Sequence, residues 1–330
     1  MSRVEIPAAP LDRFLQIYAA LNAERGCLGD ASSLRFSAIT ALTTEGSPEA
    51  IARELREVAE DLQKQTSWFG ALRSPLRFVI AAILLQQDDS PADYLAEVQR
   101  VRKLFREVQL RRSEVHEAMA ILCLRSHRDR APIPMADVNR FKSLYEEMKK
   151  HHWWLTGPED FPACAILVHE NGTPEEIGER IEQIYQALRS HGFSQGDALQ
   201  TSANMLTLAH RPALEVAQRF RNLNNGFKAA GVRIGQGDYD ELAILTFLSS
   251  SPESIVQTLL EHRASISKIR PRVNRNASFN LSASTTFLTL LPQTASGRDL
   301  AQVKALLDLQ SVIEAQQAAA AAAASTAAAS

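Results

Sequence analysis

Histidine and tryptophan crowd together once in this chain, at His151-His152-Trp153-Trp154, where two of its three tryptophans are adjacent. Flat indole and imidazole rings can stack on a planar ligand or anchor a partner protein. His151, His152, Trp153 and Trp154 are therefore the candidate binding residues. A plainer reading competes and is favoured. One tryptophan would plug a junction between helices, while the histidines sit at a helix C-terminus, where positive charge is stabilised. No carboxylate or cysteine stands beside the cluster at metal-ligand spacing.

Other chemistry-bearing runs read mostly as helix punctuation. Asp88-Asp89-Ser90-Pro91-Ala92-Asp93 has the look of a magnesium-holding acidic motif, but two of its acids precede an expected helix start, where capping and solvation explain them. Asp238-Tyr239-Asp240-Glu241 stands just before another expected helix. His127-Arg128-Asp129 matches a kinase catalytic triplet without the Gly-rich loop or metal-binding Asp that would give it meaning. Gly235-Gln236-Gly237 is half of a dinucleotide fingerprint with no strand before it, and reads as a turn. No Ser or Cys lies in a nucleophile motif. No catalytic residue, metal ligand or cofactor is assigned on these grounds.

Two basic stretches could follow a phosphate backbone. The first is Arg100, Arg102, Lys103, Arg106, Arg111 and Arg112; the second is Arg263, Lys268, Arg270, Arg272 and Arg275. Glu97, Glu107 and Glu114 interleave with the first, and the whole chain has a net charge of −2, so solvated helix faces are the favoured reading.

The elements that must position these groups are marked by prolines. Pro10, Pro48, Pro91, Pro134, Pro174, Pro212, Pro252 and Pro292 follow one another at intervals of 38, 43, 43, 40, 38, 40 and 40 residues. Ser47, Ser90, Thr173 and Ser251 each precede one of them. Hydroxyl, proline and then acid is a helix start: the hydroxyl caps a free N–H, proline sits where its missing N–H costs nothing, and the acid faces the positive end of the dipole. Seven residues beyond each proline stands Ile17, Leu55, Val98, Phe141, Ile181 or Leu259, with Arg219 and Asp299 as exceptions. That spacing predicts amphipathic helices. Between them lie shorter segments apolar nearly all round, several with a shared Ala-Ile-Leu core, such as Ala82-Ile83-Leu84 and Ala165-Ile166-Leu167. Gly192 and, more weakly, Gly226 are expected helix stops.

The expected fold is all-α: tandem helical hairpins of about 40 residues, as an α-solenoid or a compact α/α superhelix. One domain is expected over residues 10–309, between a tail of residues 1–9 and an Ala-rich tail of residues 310–330. Any division into lobes is expected at the polar connector of residues 125–134. The longest uninterrupted apolar run, Phe78 to Leu85, is far short of the ~20 residues of a membrane span. Cys27, Cys123 and Cys164 are few, odd in number and far apart, which suggests a reducing compartment. A cytoplasmic protein is expected.

Two segments resemble an uncharacterised bacterial family known as domain of unknown function 4003. They are Ser74-Pro-Leu-Arg77-Phe78-Val-Ile-Ala81-Ala82-Ile-Leu84 and Leu188-Arg-Ser-His-Gly192-Phe193-Ser-Gln-Gly196-Asp-Ala-Leu199. The likeness spans most of Leu11 to Leu290 and leaves out the Ala-rich tail. It implies a helical protein with no assigned activity and transfers no catalytic residue.

A regular set of helices without a concentrated chemical motif points to a scaffold that binds a protein or peptide, with no cofactor and no membrane. The alternatives are an enzyme whose acids converge in the centre of an α/α toroid, and a nucleic-acid groove binder using the basic stretches; nucleic acid is not the expected partner.

Overall fold

The computed structural model describes residues 6–24, 30–66, 74–110, 113–151 and 156–292. Among these residues there are fourteen α-helices and no strand. The odd-numbered helices are α1 (Pro10–Ala23), α3 (Pro48–Gln65), α5 (Pro91–Glu107), α7 (Met135–His151), α9 (Pro174–Ser190), α11 (Ala213–Ala229) and α13 (Pro252–Ile266). They alternate with α2 (Ala31–Thr40), α4 (Leu76–Gln86), α6 (Glu114–Ser126), α8 (Phe161–Leu167), α10 (Asp197–Leu206), α12 (Tyr239–Thr246) and α14 (Arg275–Leu290).

Five of the spaced prolines open a helix as its first residue, and Pro134 and Pro212 stand immediately before one. The hydroxyls act as expected. Ser47 accepts from the Ala50 N–H (3.2 Å), Ser90 from Asp93 (3.0 Å), Thr173 from Glu176 (3.2 Å) and Ser251 from Ser254 (3.3 Å). At α9 the bond is reciprocated, because the Thr173 N–H donates to Glu176 Oε2 at 2.7 Å. Helix α9 stops at Gly192, whose φ of +88° is the left-handed conformation that a Cβ disfavours. Gly226 corrects the sequence reading: α11 runs through it to Ala229 and turns at Gly231, φ +76°. The absent side chain at Gly226 serves packing instead, since a Cβ there would stand 3.2 Å from Val256 Cγ2 of α13.

By their internal contacts the helices form two compact units, residues 6–94 and residues 95–292. In the first, α1 packs on α2 and α3, and α4 packs on both α2 and α3. In the second, α7, α9, α11 and α13 touch in succession, and so do α6, α8, α10, α12 and α14. Burial differs between the odd and the even helices. The odd helices bury one stripe, with Ile17, Leu55, Val98, Phe141, Ile181 and Leu259 all inside. The even helices are covered nearly all round; every residue of α8 is buried. The connector at residues 125–130 lies within the second unit, tied by Arg125 Nη1 to the Arg130 carbonyl (2.9 Å) and by an Arg128–Asp137 ion pair (3.1 Å).

Arg219, the polar residue in an otherwise apolar stripe, has a structural role that recurs. A helix ends with carbonyls that lack intrahelical partners. The Arg219 guanidinium reaches from α11 to the exit of α12, donating Nε to the Thr246 carbonyl (2.9 Å) and Nη2 to those of Leu248 and Ser250 (2.7 Å for the latter). Arg140 of α7 does the same after α8, with Val168 (2.6 Å), Glu170 (2.7 Å) and Gly172 (2.8 Å). Arg13 of α1 does so after α2, with Leu42 (2.9 Å), Thr44 (2.6 Å) and Gly46 (3.1 Å). The planar fork suits alternate carbonyls of an extended exit strand in a way that a point ammonium cannot. No helix among the described residues is long and apolar enough to cross a membrane.

Candidate functional site

In the second unit the N-terminal ends of the even helices lie side by side. The charges of Glu159, before α8, and of Asp197, at the start of α10, act on one another, and Glu159 also acts on His116 in the first turn of α6. Ser113 Oγ and His116 Nδ1 are in hydrogen-bond contact at 2.8 Å. Burial lowers the His116 pKa against the pull of Glu159, and burial raises that of Asp197, with Glu159 adding to it. Asp160 is enclosed between them. Its Oδ2 accepts the Gly157 N–H at 3.0 Å, yet burial pushes its pKa up to about 8, with Glu159 and Asp197 adding to the rise. Further along the edge, Gln200 donates to Thr156 Oγ1 (3.1 Å), and the Asn280 amide donates to Glu241.

The same edge ends in a basic cavity. The loop from α13 to α14, with a cis Arg270–Pro271 bond, folds back so that Arg263, Arg270, Arg272 and Arg275 line one space of about 740 Å³. Ser267, Val273, Asn274 and Ser278 complete the lining, and no acidic residue is among them. Asn274 caps α14 by accepting the Ala277 N–H at 2.8 Å, so the positive end of that helix opens here. Two guanidiniums are anchored to backbone: Arg275 Nη2 donates to the Arg233 carbonyl (2.8 Å), and Arg270 Nη1 donates to those of Lys268 and Ile269 (both 3.2 Å). Asp238, before α12, feels the charges of Arg275 and Arg263, and that of Asp240 beside it. Burial raises the Asp238 pKa, while the Gly235 N–H (2.8 Å), Arg275 and Arg263 oppose the rise. Positive charge therefore dominates, and the arrangement can hold an anion.

Residues 17–318 match the sequence profile of the family described as "Protein of unknown function (DUF4003)". The chain belongs to that family. Its relatives include the "Uncharacterized protein YeaA" of Bacillus subtilis (strain 168), 26% identical over 265 residues, which are 76% of this chain and 74% of that protein. No solved structure matches the chain. The family match extends beyond Leu290 to Ala318, so it takes in the start of the Ala-rich segment that the sequence motifs had left outside.

Of the candidates singled out in sequence, His151 ends α7 half-buried beside Gly178 of α9, whose added Cβ would lie 3.8 Å from its Nε2. His152, Trp153 and Trp154 lie outside the described residues, as do Cys27, Arg111, Arg112 and the Ala-rich tail. Asp89 is buried, with its N–H on the Leu84 carbonyl (2.9 Å), and no group of three His, Cys, Asp or Glu among the described residues is placed to hold a metal ion. Within the first basic stretch, Lys103 and Arg106 are exposed, while two arginines are paired with acids. Arg100 pairs with Glu97 and Arg102 with Glu117, both at 2.6 Å, and both carboxylates are buried. Burial pushes the Glu97 pKa up, but Arg100 and the Ile133 N–H (2.7 Å) outweigh it and hold the group ionised. Cys123 and Cys164 are free and buried, and burial raises both thiol pKa values, so neither has thiolate character. Sequence reasoning missed His116, Glu159, Asp160 and Asp197. Their faint signal was acids at helix starts, which Asp238-Tyr239-Asp240-Glu241 shares.

Proposed function

We propose that this DUF4003 chain is a binding scaffold of repeated helical hairpins, and that the arginine-lined cavity at the start of α14 anchors an acidic group of a protein or peptide partner. The observation that carries this reading is the convergence of Arg263, Arg270, Arg272 and Arg275 on one cavity with no acid in its lining. Arginine is the residue of choice where planar anions must be held with direction. The repeat is supported by the arginine fork that recurs at Arg13, Arg140 and Arg219. The direct test is fluorescence anisotropy of a labelled peptide rich in Asp and Glu against its Asn/Gln counterpart. Binding of the acidic peptide, weakened by salt and by Arg272→Gln, is expected. Equal affinity for both peptides would remove the reading.

A catalytic reading draws on Asp160, because a carboxyl whose pKa is pushed up to about 8 can act as a general acid. Its side chain, however, is enclosed and committed to the Gly157 N–H, which fits a role in holding the α8 entrance. A nucleic-acid groove has less support still, since Arg100 and Arg102 of the first basic stretch are neutralised within the fold.

A further inference from the structure

We infer that the anion taken by the arginine cavity is a phosphomonoester, bound as its dianion; this rests on the reading of that cavity as the partner's anchor. Three observations support the choice of phosphate over carboxylate. First, positive groups dominate the lining. Four guanidiniums and the N-terminus of α14 face the cavity and no acid lines it, the acids in electrostatic contact being Asp238 and, through it, Asp240. A dianion cancels that excess better than a carboxylate, and its three oxygens accept from more donors.

Second, donors stand uncommitted. Arg272 makes no hydrogen bond or ion pair among the described residues, and Arg263 makes no hydrogen bond there beyond its electrostatic contact with Asp238. Third, Ser278 lines the cavity with a hydroxyl that makes no hydrogen bond among the described residues, although its N–H and carbonyl are both used within α14. That hydroxyl adds a neutral donor to the charged ones for an oxygen-rich ligand. Arg270 and Arg275, pinned to backbone carbonyls, form walls already in place before the ligand arrives.

The surroundings restrict the phosphate to a single group. Going from the cavity toward α10 and α8, the edge carries Asp238, then Asp197 and Glu159. A polynucleotide extending that way would bring successive phosphates against carboxylates. A phosphorylated side chain flanked by lysine or arginine would instead find complementary charge. An open hollow of about 740 Å³ also has room for a small ligand, so a free phosphomonoester carries the same chemistry from a different source.

The test uses the full chain and anisotropy with labelled peptides: a phosphoserine peptide with flanking lysines, and the same peptide with glutamate or serine at that position. Unlabelled glycerol phosphate and a single-stranded RNA serve as competitors. The phosphoserine peptide is expected to bind about 10-fold or more tightly than the glutamate form, reflecting the second charge and third oxygen. Arg263→Gln, Arg272→Gln and Ser278→Ala should each narrow that preference, whereas Arg221→Gln on an exposed face of α11 should not. Circular dichroism melts confirm that each variant is folded. Equal binding of phosphoserine and glutamate peptides overturns the phosphate inference while the acidic-anchor reading stands, and binding of neither overturns both. Glycerol phosphate as tight as the peptide keeps the phosphate site and removes the peptide partner. RNA competing most strongly, with a steep salt dependence, overturns the single-group argument.

Discussion

Arg219→Ala withdraws the donors of three carbonyls in one step. Thr246 and Leu248 are buried, at 5% and 1% exposure, and Ser250 is half-buried. An acceptor left unsatisfied inside a protein costs about 1–3 kcal/mol, whereas one that water can reach costs little. Taking the lower half of that range for the two buried carbonyls and a fraction for the third gives a loss of about 3 kcal/mol. Arg219→Lys should recover only about a third of it, because one ammonium replaces a fork that spans alternate residues. Arg140→Ala is expected to cost less: among its acceptors Val168 is buried, Glu170 is half-buried and Gly172 is exposed. Urea unfolding followed by far-ultraviolet circular dichroism measures each difference, with the exposed Arg221→Ala as the surface control. If Arg219→Ala falls within about 1 kcal/mol of that control, the typical scatter of a surface change, the forks do not hold the helix exits. If lysine replaces arginine without loss, positive charge rather than fork geometry is what the site needs.

Asp160 gives a pH prediction. Its folded pKa of about 8 exceeds that of an ordinary carboxyl, so the folded chain binds the proton more tightly than the unfolded one. Stability from this group is complete below about pH 4 and is lost as pH rises toward 8, at up to ~1.4 kcal/mol per pH unit. Urea unfolding at pH 5 and 7.5 should show that slope in the parent and lose it in Asp160→Asn; an unchanged slope refutes the assignment. Thr173→Ala breaks the reciprocal cap of α9 and should cost about 1 kcal/mol by the same assay, while Glu179→Ala on the exposed face of that helix should not. Gly192→Ala places a Cβ on a residue at φ +88° and should cost about 1–2 kcal/mol, although no neighbouring atom lies within 4 Å of it; a neutral result would mean that the turn relaxes.

The parts of this fold that could be read in the sequence are those whose physics is local. A hydroxyl, a proline and an acid within four residues set a helix start by themselves, and Ser47, Ser90, Thr173 and Ser251 all cap as that logic requires. The buried stripe of the odd helices follows from 3.6-residue periodicity alone, and Ile17, Leu55, Phe141 and Leu259 lie inside accordingly. Gly226 shows the limit. The same residue type stops a helix or admits a close neighbour, and only the position of Val256, thirty residues further along, distinguishes the two.

The candidate site was less legible for the same reason. Arg219 looked like a flaw in a hydrophobic pattern because the carbonyls that explain it begin 27 residues downstream. The two basic stretches looked alike as strings of charge, yet they meet opposite fates. Glu97 lies one turn from Arg100, and Glu117 comes across from α6 to Arg102, so two arginines of the first stretch are neutralised within the fold. The second has no comparable acids interleaved, and its loop curls back on the start of α14, so four of its arginines converge on a space with no acid in its lining. The absence of interleaved acids was visible in the sequence; the curl was not. An uncancelled basic run that ends at a helix N-terminus therefore carries more functional weight than an equally long run threaded with glutamates. The composition of this chain, near neutral as a whole, concealed that difference.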